Sequence, residues 1–277
     1  MENLVLVDGH NMLFRIFYGM QRPVFHEDGR DMRCPIGFAS SIMKLVKDFD
    51  TSKLLVVFDS ITSTQKRLEF FPDYKQNRPD YSQLSEEENP FTRLPDIYKT
   101  LEALNIAYLE AHGYEADDYI ASIAKTYQDR YNIVIVSTDS DFNQLVCDQV
   151  QIFKPRGKKS QLITIDKVVE TLGIMPEQVI EFKALVGDTA DNIPGIKGIG
   201  PKRAAEILSY GSIEQIVNGQ TDIPNKYLIK VKEHYEVLNR NKVLITMIHD
   251  VPFDLNEEMF ETHFDSDFKG WDVMKLI

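Results

Sequence analysis

The feature that most constrains the fold is a set of short apolar runs, each followed closely by an acidic residue. The runs are Leu4–Val7, Leu54–Phe58 and Ile133–Val136. Because they are continuously apolar rather than alternating, they predict buried strands of a parallel sheet. Amphipathic helical patterns separate them, namely Gly37–Phe49, Leu94–Leu104 and Ala116–Tyr127. This order predicts an α/β fold with a mostly parallel central sheet flanked by helices.

The pattern changes at about residue 160, which predicts an α/β domain over residues 1–160 and a helical part over residues 161–277. The helices predicted in the second part are Ile165–Leu172, Pro176–Val186 and Pro201–Leu208. Within the first domain, residues 71–95 are rich in proline and have no strand period. They predict a long excursion from the sheet, which in a compact domain is usually functional or disordered.

Composition excludes several classes of protein. Apolar residues make up 43% of the 277 residues, which argues against disorder. No apolar run approaches the roughly 20 residues of a membrane helix, and the N-terminus lacks the basic region of a secretory signal. Cys34 and Cys147 form no metal-binding pair and indicate a reduced, cytoplasmic location. The net charge of −12 does not favour nucleic-acid binding in bulk, so the local placement of charge decides.

Acidic residues stand where the predicted strands end. Asp8 and Asp59 each end a strand, and the carboxyl ends of parallel strands share the edge where ligands bind. Asp139 and Asp141 follow the third strand at a spacing that turns both the same way on an extended backbone. Two further groups contain acids one helical turn apart. The predicted cluster comprises Asp8, Asp59, Glu115, Asp117, Asp118, Asp139, Asp141, Asp188 and Asp191.

This density of acids predicts a metal site. Close carboxylates raise each other's pKa unless a cation neutralises them, and the motifs contain no matching set of Lys or Arg. Hard divalent cations such as Mg²⁺ or Mn²⁺ take oxygen ligands, and two of them can activate a water and stabilise the leaving oxygen of a phosphate. Taken singly, each acid is equally typical of a turn or a helix cap. Their conjunction in one chain favours the metal site.

A glycine-rich turn, IPGIKGIG, precedes a helix that Pro201 opens at its first position. Glycines let backbone N–H groups approach a phosphate, and a helix N-terminus favours its charge. The turn therefore predicts a clamp for a phosphodiester backbone, and the alternative is a tight turn between helices with surface lysines. The candidate clamp residues are Gly195, Lys197, Gly198, Gly200, Lys202 and Arg203.

Two other segments carry local positive charge. In DYKQNR, Tyr74 can stack on an unpaired base, while Lys75 and Arg78 can neutralise a phosphate; alone, the segment is typical of a surface turn. The second segment is typical of a solvated loop as well as of a DNA-facing one. It contains Lys154, Arg156, Lys158 and Lys159.

Six motifs in order resemble the 5′-nuclease family, which comprises flap endonucleases and 5′–3′ exonucleases, free in phages and bacteria or as the N-terminal domain of bacterial DNA polymerase I. The motifs are LVDGHNMLFR, VVFDS, FPDYKQNRP, GYEADD, STDSDFNQL and LVGDTADNIPGIKGIGPKRAAEIL. The resemblance implies hydrolysis of branched or 5′-flap DNA at single-strand/duplex junctions, with roles in primer removal, replication and repair. It also implies that residues 1–160 form the catalytic domain, with a helical arch at about 71–95, and that a helix–three-turn–helix motif binds DNA in residues 161–277.

The resemblance further implies roles for single residues. A first Mg²⁺ would be held by Asp8, Asp59, Glu115, Asp117 and Asp118, and a second by Asp139, Asp141, Asp188 and Asp191. Lys75 and Arg78 would grip the scissile phosphate, with Tyr74 near the displaced nucleotide and Arg15 near the site. The turn at residues 193–203 would bind the duplex, assisted by K⁺.

Three alternatives differ in their requirements. A branched-DNA binding protein with degenerate catalysis would lack some of the acids, and none is missing. A PIN-type RNA nuclease would lack IPGIKGIG, and a dehalogenase-like phosphatase needs a DxD motif where the first strand ends DGHN. The acidic run Glu86–Glu88 suits a threaded DNA strand poorly and leaves the helicity of the arch open. We expect an active, monomeric, free-standing nuclease.

Overall fold

The computed structural model describes residues 1–20, 22–263 and 268–277. Its main strands are β1 Glu2–Asp8, β2 Lys53–Asp59, β3 Tyr108–Ala111, β4 Tyr131–Val136, β5 Val150–Lys154 and β6 Gln161–Ile163. They form one sheet in the order β3-β2-β1-β4-β5-β6, in which every neighbouring pair is parallel except β5 and β6. The predicted mostly parallel sheet is confirmed, and so are its three predicted strands.

Helices cover both faces of this sheet. The helices of the first half are α1 Gly9–Gly19, α2 Arg33–Asp48, α3 Gln65–Phe70, α4 Leu94–Ala103 and α5 Ala116–Tyr127. Those of the second half are α6 Ile165–Leu172, α7 Val179–Val186, α8 Pro201–Leu208, α9 Ile213–Val217, α10 Asn225–Glu233 and α11 Tyr235–Ile245. No helix among the described residues is both long and apolar enough to cross a bilayer.

The side chains of β1 point alternately to the two faces of the sheet, and this explains why helices cover both faces. Leu4 and Leu6 are buried in the apolar core that includes α5 and the helices of the second half, whereas Val5 and Val7 are buried in the core under α1, α2 and α4. Successive side chains of a strand point to opposite faces. A run that is apolar at every position therefore fits a central strand between two layers.

The order of the strands reverses beside β1. This strand pairs with β2 on one side and with β4 on the other. At such a switch point a crevice opens at the carboxyl ends of the strands, and ligands of open α/β sheets bind there. Asp8 ends β1 and Ser137 follows β4, so the crevice begins between these two residues.

The predicted arch, residues 71–95, is helical only as two short 3₁₀ helices, Tyr81–Gln83 and Pro90–Arg93, before α4 begins. Its prolines remove the N–H donors that an α-helix would need. The arch segment packs on α1, because the ring of Tyr81 meets the rings of Phe14 at 5.4 Å and Phe91 at 5.2 Å, each edge to face. It therefore lies beside the crevice.

In the second half, the predicted α6 and α8 have the expected bounds, while residues 176–186 divide into a 3₁₀ helix, Pro176–Gln178, and α7. A tight hairpin of two short strands follows α7 and leads to α8. Its strands are β7 Gly187–Asp188 and β8 Ile193–Pro194. The buried amide of Asn241 on α11 donates to the carbonyls of Ala184 and Pro194. This hydrogen bonding fixes the hairpin against the helices.

Candidate metal centre

Asp8 is held at the bottom of the crevice by three elements. It ends β1, and its Oδ1 accepts from the backbone N–H of Asn11 at 3.0 Å, capping α1. Its Oδ2 accepts from the Ser137 hydroxyl after β4 at 2.8 Å. Asn11 in turn exchanges hydrogen bonds with Thr138. The sequence folds this way locally because an Asp at a strand end is also a good helix cap.

Asp59 occupies the same position on the neighbouring strand. Its Oδ1 accepts from the backbone N–H of Ala116 at 2.9 Å, at the start of α5, and its Oδ2 lies 3.4 Å from Nδ1 of His10. Burial alone would raise the pKa of Asp59, but these contacts lower it to about 2. A carboxylate at a helix N-terminus is stabilised in the same way.

Four acids, which we name the central acids, face one another, and the basic side chain of His10 lies beside one of them, Asp59. Within the described part of the chain, no Lys or Arg nitrogen lies within 4.0 Å of their carboxylates. Burial, with the charges of two of the others, raises the pKa of Asp8 to about 6. Burial and the charge of Asp8 also raise the pKa of Asp117 well above its usual range. The central acids are Asp8, Asp59, Asp117 and Asp139.

The other five acids, which we name the paired acids, are bound by cations of the chain itself: Glu115, Asp118, Asp141, Asp188 and Asp191. Arg67 of α3 binds both oxygens of Asp118 at 2.6 and 2.8 Å, and Asp118 is fully buried. Lys183 of α7 forms ion pairs with both Asp141 and Asp188.

Asp139 and Asp141 therefore separate into different groups. The backbone N–H of Asp141 donates to Oδ1 of Asp139, and a 3₁₀ helix begins at Asp141, so the segment is a turn rather than the extended backbone expected. Among the described residues, no three His, Cys, Asp or Glu side chains form a ready ligand shell. The acids share one edge of the sheet, and the paired acids turn towards their cations.

The base of the arch contacts the acids directly. Lys75 Nζ lies 2.9 Å from both oxygens of Glu115, and Arg78 Nη2 lies 2.7 Å from Asp191. Lys75 has a left-handed backbone with a φ of 56°, and its N–H donates to the carbonyl of Asp191. Non-glycine residues adopt this conformation only where their surroundings fix it, commonly at functional sites. Two cations are thus positioned over the crevice.

Tyr74 does not fit the expected stacking on a displaced nucleotide in this conformation. Its side chain is only 2% exposed, and its hydroxyl donates to Glu115 at 3.1 Å and to Asp191 at 3.2 Å. Arg15, on α1, contacts the hydroxyl of Ser41 on α2 at 3.5 Å. Tyr74 therefore lies among the acids in this structure, and the expected role of Arg15 stays a prediction.

Glycine occupies three positions of the predicted clamp for different physical reasons. A side chain at Gly195 would meet the carbonyl oxygen of Val186 at 2.0 Å, so this glycine permits close packing of the hairpin. Gly198 has a φ of 83°, which favours glycine. Gly200, directly before α8, has open space around it, and the neighbouring side chains of Lys202 and Arg203 are exposed. This end of the turn leaves backbone accessible to a phosphate.

Sequence reasoning missed the residues that compensate the acids. Lys183 and Arg67 stand in amphipathic helical stretches with no motif around them, and the Ser137 hydroxyl follows a strand as an ordinary turn residue. The weak signal for Lys183 is its position in the last turn of a helix that ends at GD. Pairing over long sequence distances is not visible in local patterns.

Two family models match the chain. The N-terminal resolvase-like domain of 5′-3′ exonucleases matches residues 3–173, and their C-terminal SAM fold matches residues 174–266. The 5′-3′ exonuclease of Aquifex aeolicus is 32% identical over 261 residues, which are 93% of this chain and 86% of that protein. The thermostable DNA polymerase I of Thermus thermophilus is 34% identical over 256 residues, 91% of this chain, and the chain spans 30% of its length.

Solved structures agree with this assignment. The bacteriophage T5 5′-exonuclease with bound zinc has a TM-score of 0.74 at 30% identity, covering 88% of this chain and 89% of that chain. The T5 flap endonuclease in a pseudo-enzyme–product complex with DNA and metal ions has a TM-score of 0.73, with the same identity and coverage. The fold, the acids at the switch point and these matches agree. This chain belongs to the 5′-3′ exonuclease family.

Proposed function

We propose that the chain is a structure-specific 5′-nuclease, a 5′–3′ exonuclease and flap endonuclease that hydrolyses DNA at single-strand/duplex junctions. The observation that carries the proposal is the set of central acids at the β1–β4 switch point, with two arch cations 2.9 and 2.7 Å from neighbouring acids. Acids alone would suit several hydrolases. Cations placed beside them suit a substrate that is itself a phosphodiester.

We propose Mg²⁺ as the cofactor, with two ions and with Mn²⁺ as a substitute. The donor set fits because it consists of carboxylate oxygens. Burial and, to a smaller extent, the charges of Asp59 and Asp139 raise the pKa of Asp8, and a bound cation would offset both effects. When bound, such ions supply an activated water and neutralise the leaving oxygen. The residues proposed to hold the first ion are Asp8, Asp59, Glu115, Asp117 and Asp118; those for the second are Asp139, Asp141, Asp188 and Asp191.

The chain's own residues orient the substrate. Lys75 and Arg78 would exchange their acidic partners for the scissile phosphate, which they would neutralise as negative charge develops. Ser137 and Asn11 would hold Asp8 and the turn after β4 in place during this exchange. The proposed product end is a 5′-phosphate. Tyr74 keeps a proposed DNA contact only if the arch moves when the substrate binds.

The turn before α8 would hold the downstream duplex through the exposed Gly200 backbone and the side chains of Lys202 and Arg203. A proposed K⁺ site in this turn has a poor fit to the geometry. The carbonyl of Lys197 already accepts from Lys230 at 3.0 Å, and that of Gly198 accepts from Arg203 at 2.5 Å. We therefore derive no binding step through K⁺.

The test is cleavage of 5′-labelled flap, nicked and single-stranded DNA with and without Mg²⁺, with products sized on a gel. We expect cleavage near the junction of the flap substrate and little on the single strand. Asp191→Ala and Asp141→Ala should abolish cleavage and retain most DNA binding, while the exposed loop variant Asp222→Ala should cleave normally. Binding without cleavage by the wild-type protein would contradict the proposal and favour a scaffolding protein.

We also propose that residues 1–160 form the catalytic part and residues 161–277 the DNA-binding part. The chain would act as a monomer, on cytoplasmic DNA, in replication and repair. Chromatography with light scattering during DNA titration tests the monomeric state directly.

A further inference from the structure

A second basic site lies outside the metal centre. A cleft of about 190 Å³ opens between the β5–β6 hairpin and α6. Its floor is apolar and includes Ile163 and Val168. The described residues that line it include no acid. Its four cations are Lys154, Arg156, Lys159 and Lys167.

Most of this charge is uncompensated. Among the residues that the structure describes, no carboxylate lies within 4.0 Å of the cationic nitrogens of Lys154, Arg156 or Lys159; Lys167 alone pairs, with the exposed Glu170. Burial lowers the pKa of Lys154, which shows that its ammonium group is partly removed from water. Arg156 and Lys159 are exposed, yet they line one cavity together with Lys154 and Lys167. This arrangement suits an anion that several of them can contact together.

Asn143 supplies an independent observation. Its side chain lines the same cleft and is only 7% exposed, and its buried Oδ1 has no hydrogen-bond partner among the residues that the structure describes. A buried unpaired polar atom is costly, and its presence calls for a partner. The two ends of an amide are interchangeable by rotation, so Asn143 can present its NH₂ group to an anion in the cleft.

The cleft opens at the same edge of the sheet as the central acids. β5 lies parallel to β4, with Phe153 opposite Val136, so Lys154 stands level with Ser137. Neighbouring strands are about 4.8 Å apart. The arch leaves the sheet after β2, on the other side of the crevice. A DNA strand crossing this edge would meet arch cations on one side and the cleft on the other.

We propose that this cleft binds a phosphate of the DNA substrate, beside the metal centre and on the side away from the arch. The proposal rests on the proposed function, because it takes the substrate to be DNA. Free inorganic phosphate and the phosphate of a released nucleotide share the same chemistry. The experiment below separates these sources.

The test measures binding of a fluorescent 5′-flap duplex by anisotropy in EDTA, where no cleavage is needed. The variant Lys154→Ala/Arg156→Ala should bind about tenfold more weakly and lower the slope of log Kd against log salt by roughly 1 to 2. Asn143→Asp, which places an acid in the cleft, should weaken binding similarly. The matched control is Lys158→Ala, which removes a cation from the same exposed turn that does not line the cleft.

An equal loss in Lys158→Ala and in each single variant, Lys154→Ala and Arg156→Ala, would overturn the proposal, because overall charge would then explain binding. Thermal unfolding with inorganic phosphate, at an ionic strength matched by chloride, tests the other source. If phosphate stabilises only proteins with an intact cleft while DNA affinity is unchanged, the cleft is a free-phosphate site and the proposal fails. Failure of the wild type to cut flap DNA, with the expected binding pattern retained, would overturn the proposed function alone.

Discussion

The central acids and the paired acids stand at one edge of the sheet and differ in how their charge is balanced. Asp118 has both oxygens bound by Arg67, whereas Asp8 has only neutral donors and the charges of its neighbours. A buried carboxylate with a well-placed guanidinium is tolerated, and one without it shifts its pKa. The chain thus carries its own counter-ions for one group and leaves the other dependent on cations from solution.

The nine acids form one predicted cluster in the sequence, but in the structure the two groups differ in what they contribute to the fold. The paired acids connect elements in the folded chain, since Asp118 also accepts from the backbone N–H of Ile248 beyond α11. Burial and the charges of neighbouring acids raise the pKa of Asp8 and Asp117 in the folded state, so these two central acids stabilise the fold less. Each variant below probes one side of this contrast.

Removal of divalent cations should have the largest effect. We expect EDTA to lower the rate of flap cleavage by about 10⁴-fold or more, roughly 5 kcal/mol of barrier, because no Lys or Arg in the described part of the chain pairs with the central acids. Added MgCl₂ should restore the rate, as followed by gel assay. Cleavage at the full rate in EDTA would contradict the interpretation that the central acids depend on cations from solution.

Arg67→Ala should cost about 3–5 kcal/mol of unfolding free energy, because it leaves the fully buried Asp118 without its partner. Urea denaturation in EDTA measures this. Adding Asp118→Asn to Arg67→Ala should recover part of the loss, since no charge then stays buried. The neighbouring exposed Lys66→Ala is the matched control, and a loss of similar size there would contradict the interpretation.

Asp8→Asn should act in the opposite direction and stabilise the metal-free protein at pH 7 by about 3 kcal/mol at most, while abolishing cleavage. The pKa of Asp8 is raised in the folded state to about 6, so the wild type gains stability as the pH falls from 7 towards 4. Asp59 has a lowered pKa, and its contribution is lost only below about pH 4.

Thermal melts in EDTA at pH 7 and pH 5 measure this difference. The advantage of Asp8→Asn should shrink at pH 5, where the wild-type carboxyl is already protonated in the folded protein. An Asn variant that melts below the wild type at pH 7 would mean that Asp8 belongs with the paired acids.

Lys183→Met should have the smallest effect, a loss of about 2 kcal/mol in EDTA, because it removes the counter-ion of Asp141 and Asp188. Saturating Mg²⁺ should reduce the loss, since another cation then takes its place. The control is Lys44→Met, which breaks an exposed pair with Asp48 worth less than about 1 kcal/mol. An undiminished loss in Mg²⁺ would show that Lys183 and metal do not compete.

The positions of the acids were predictable because strand ends are local features. The continuous apolar runs identified β1, β2 and β4, and the helical period identified α5 with its observed bounds. The strands β3, β5 and β6 were not predicted. They are short and lie towards the edges of the sheet, where burial on both faces is incomplete.

The partners of the acids were not predictable, because they depend on how distant helices pack. Nothing near Lys183 in the sequence indicates that α7 places it against Asp141. Tyr74 was expected at the surface from its basic neighbours, yet its hydroxyl donates to the buried Glu115 and to the partly buried Asp191. Such contacts depend on the path of the arch in three dimensions. Proline-rich turns set this path, and they leave no helix or strand period in the sequence.

Arg67 also has a mechanical consequence. Besides Asp118, its guanidinium donates to the carbonyls of Leu244 and Thr246 at the end of α11. These hydrogen bonds fix α3, the helix before the arch, to the end of α11. Any swing of the arch must therefore pivot beyond Phe70, and a chain shortened to end before residue 244 would lose both of these hydrogen bonds.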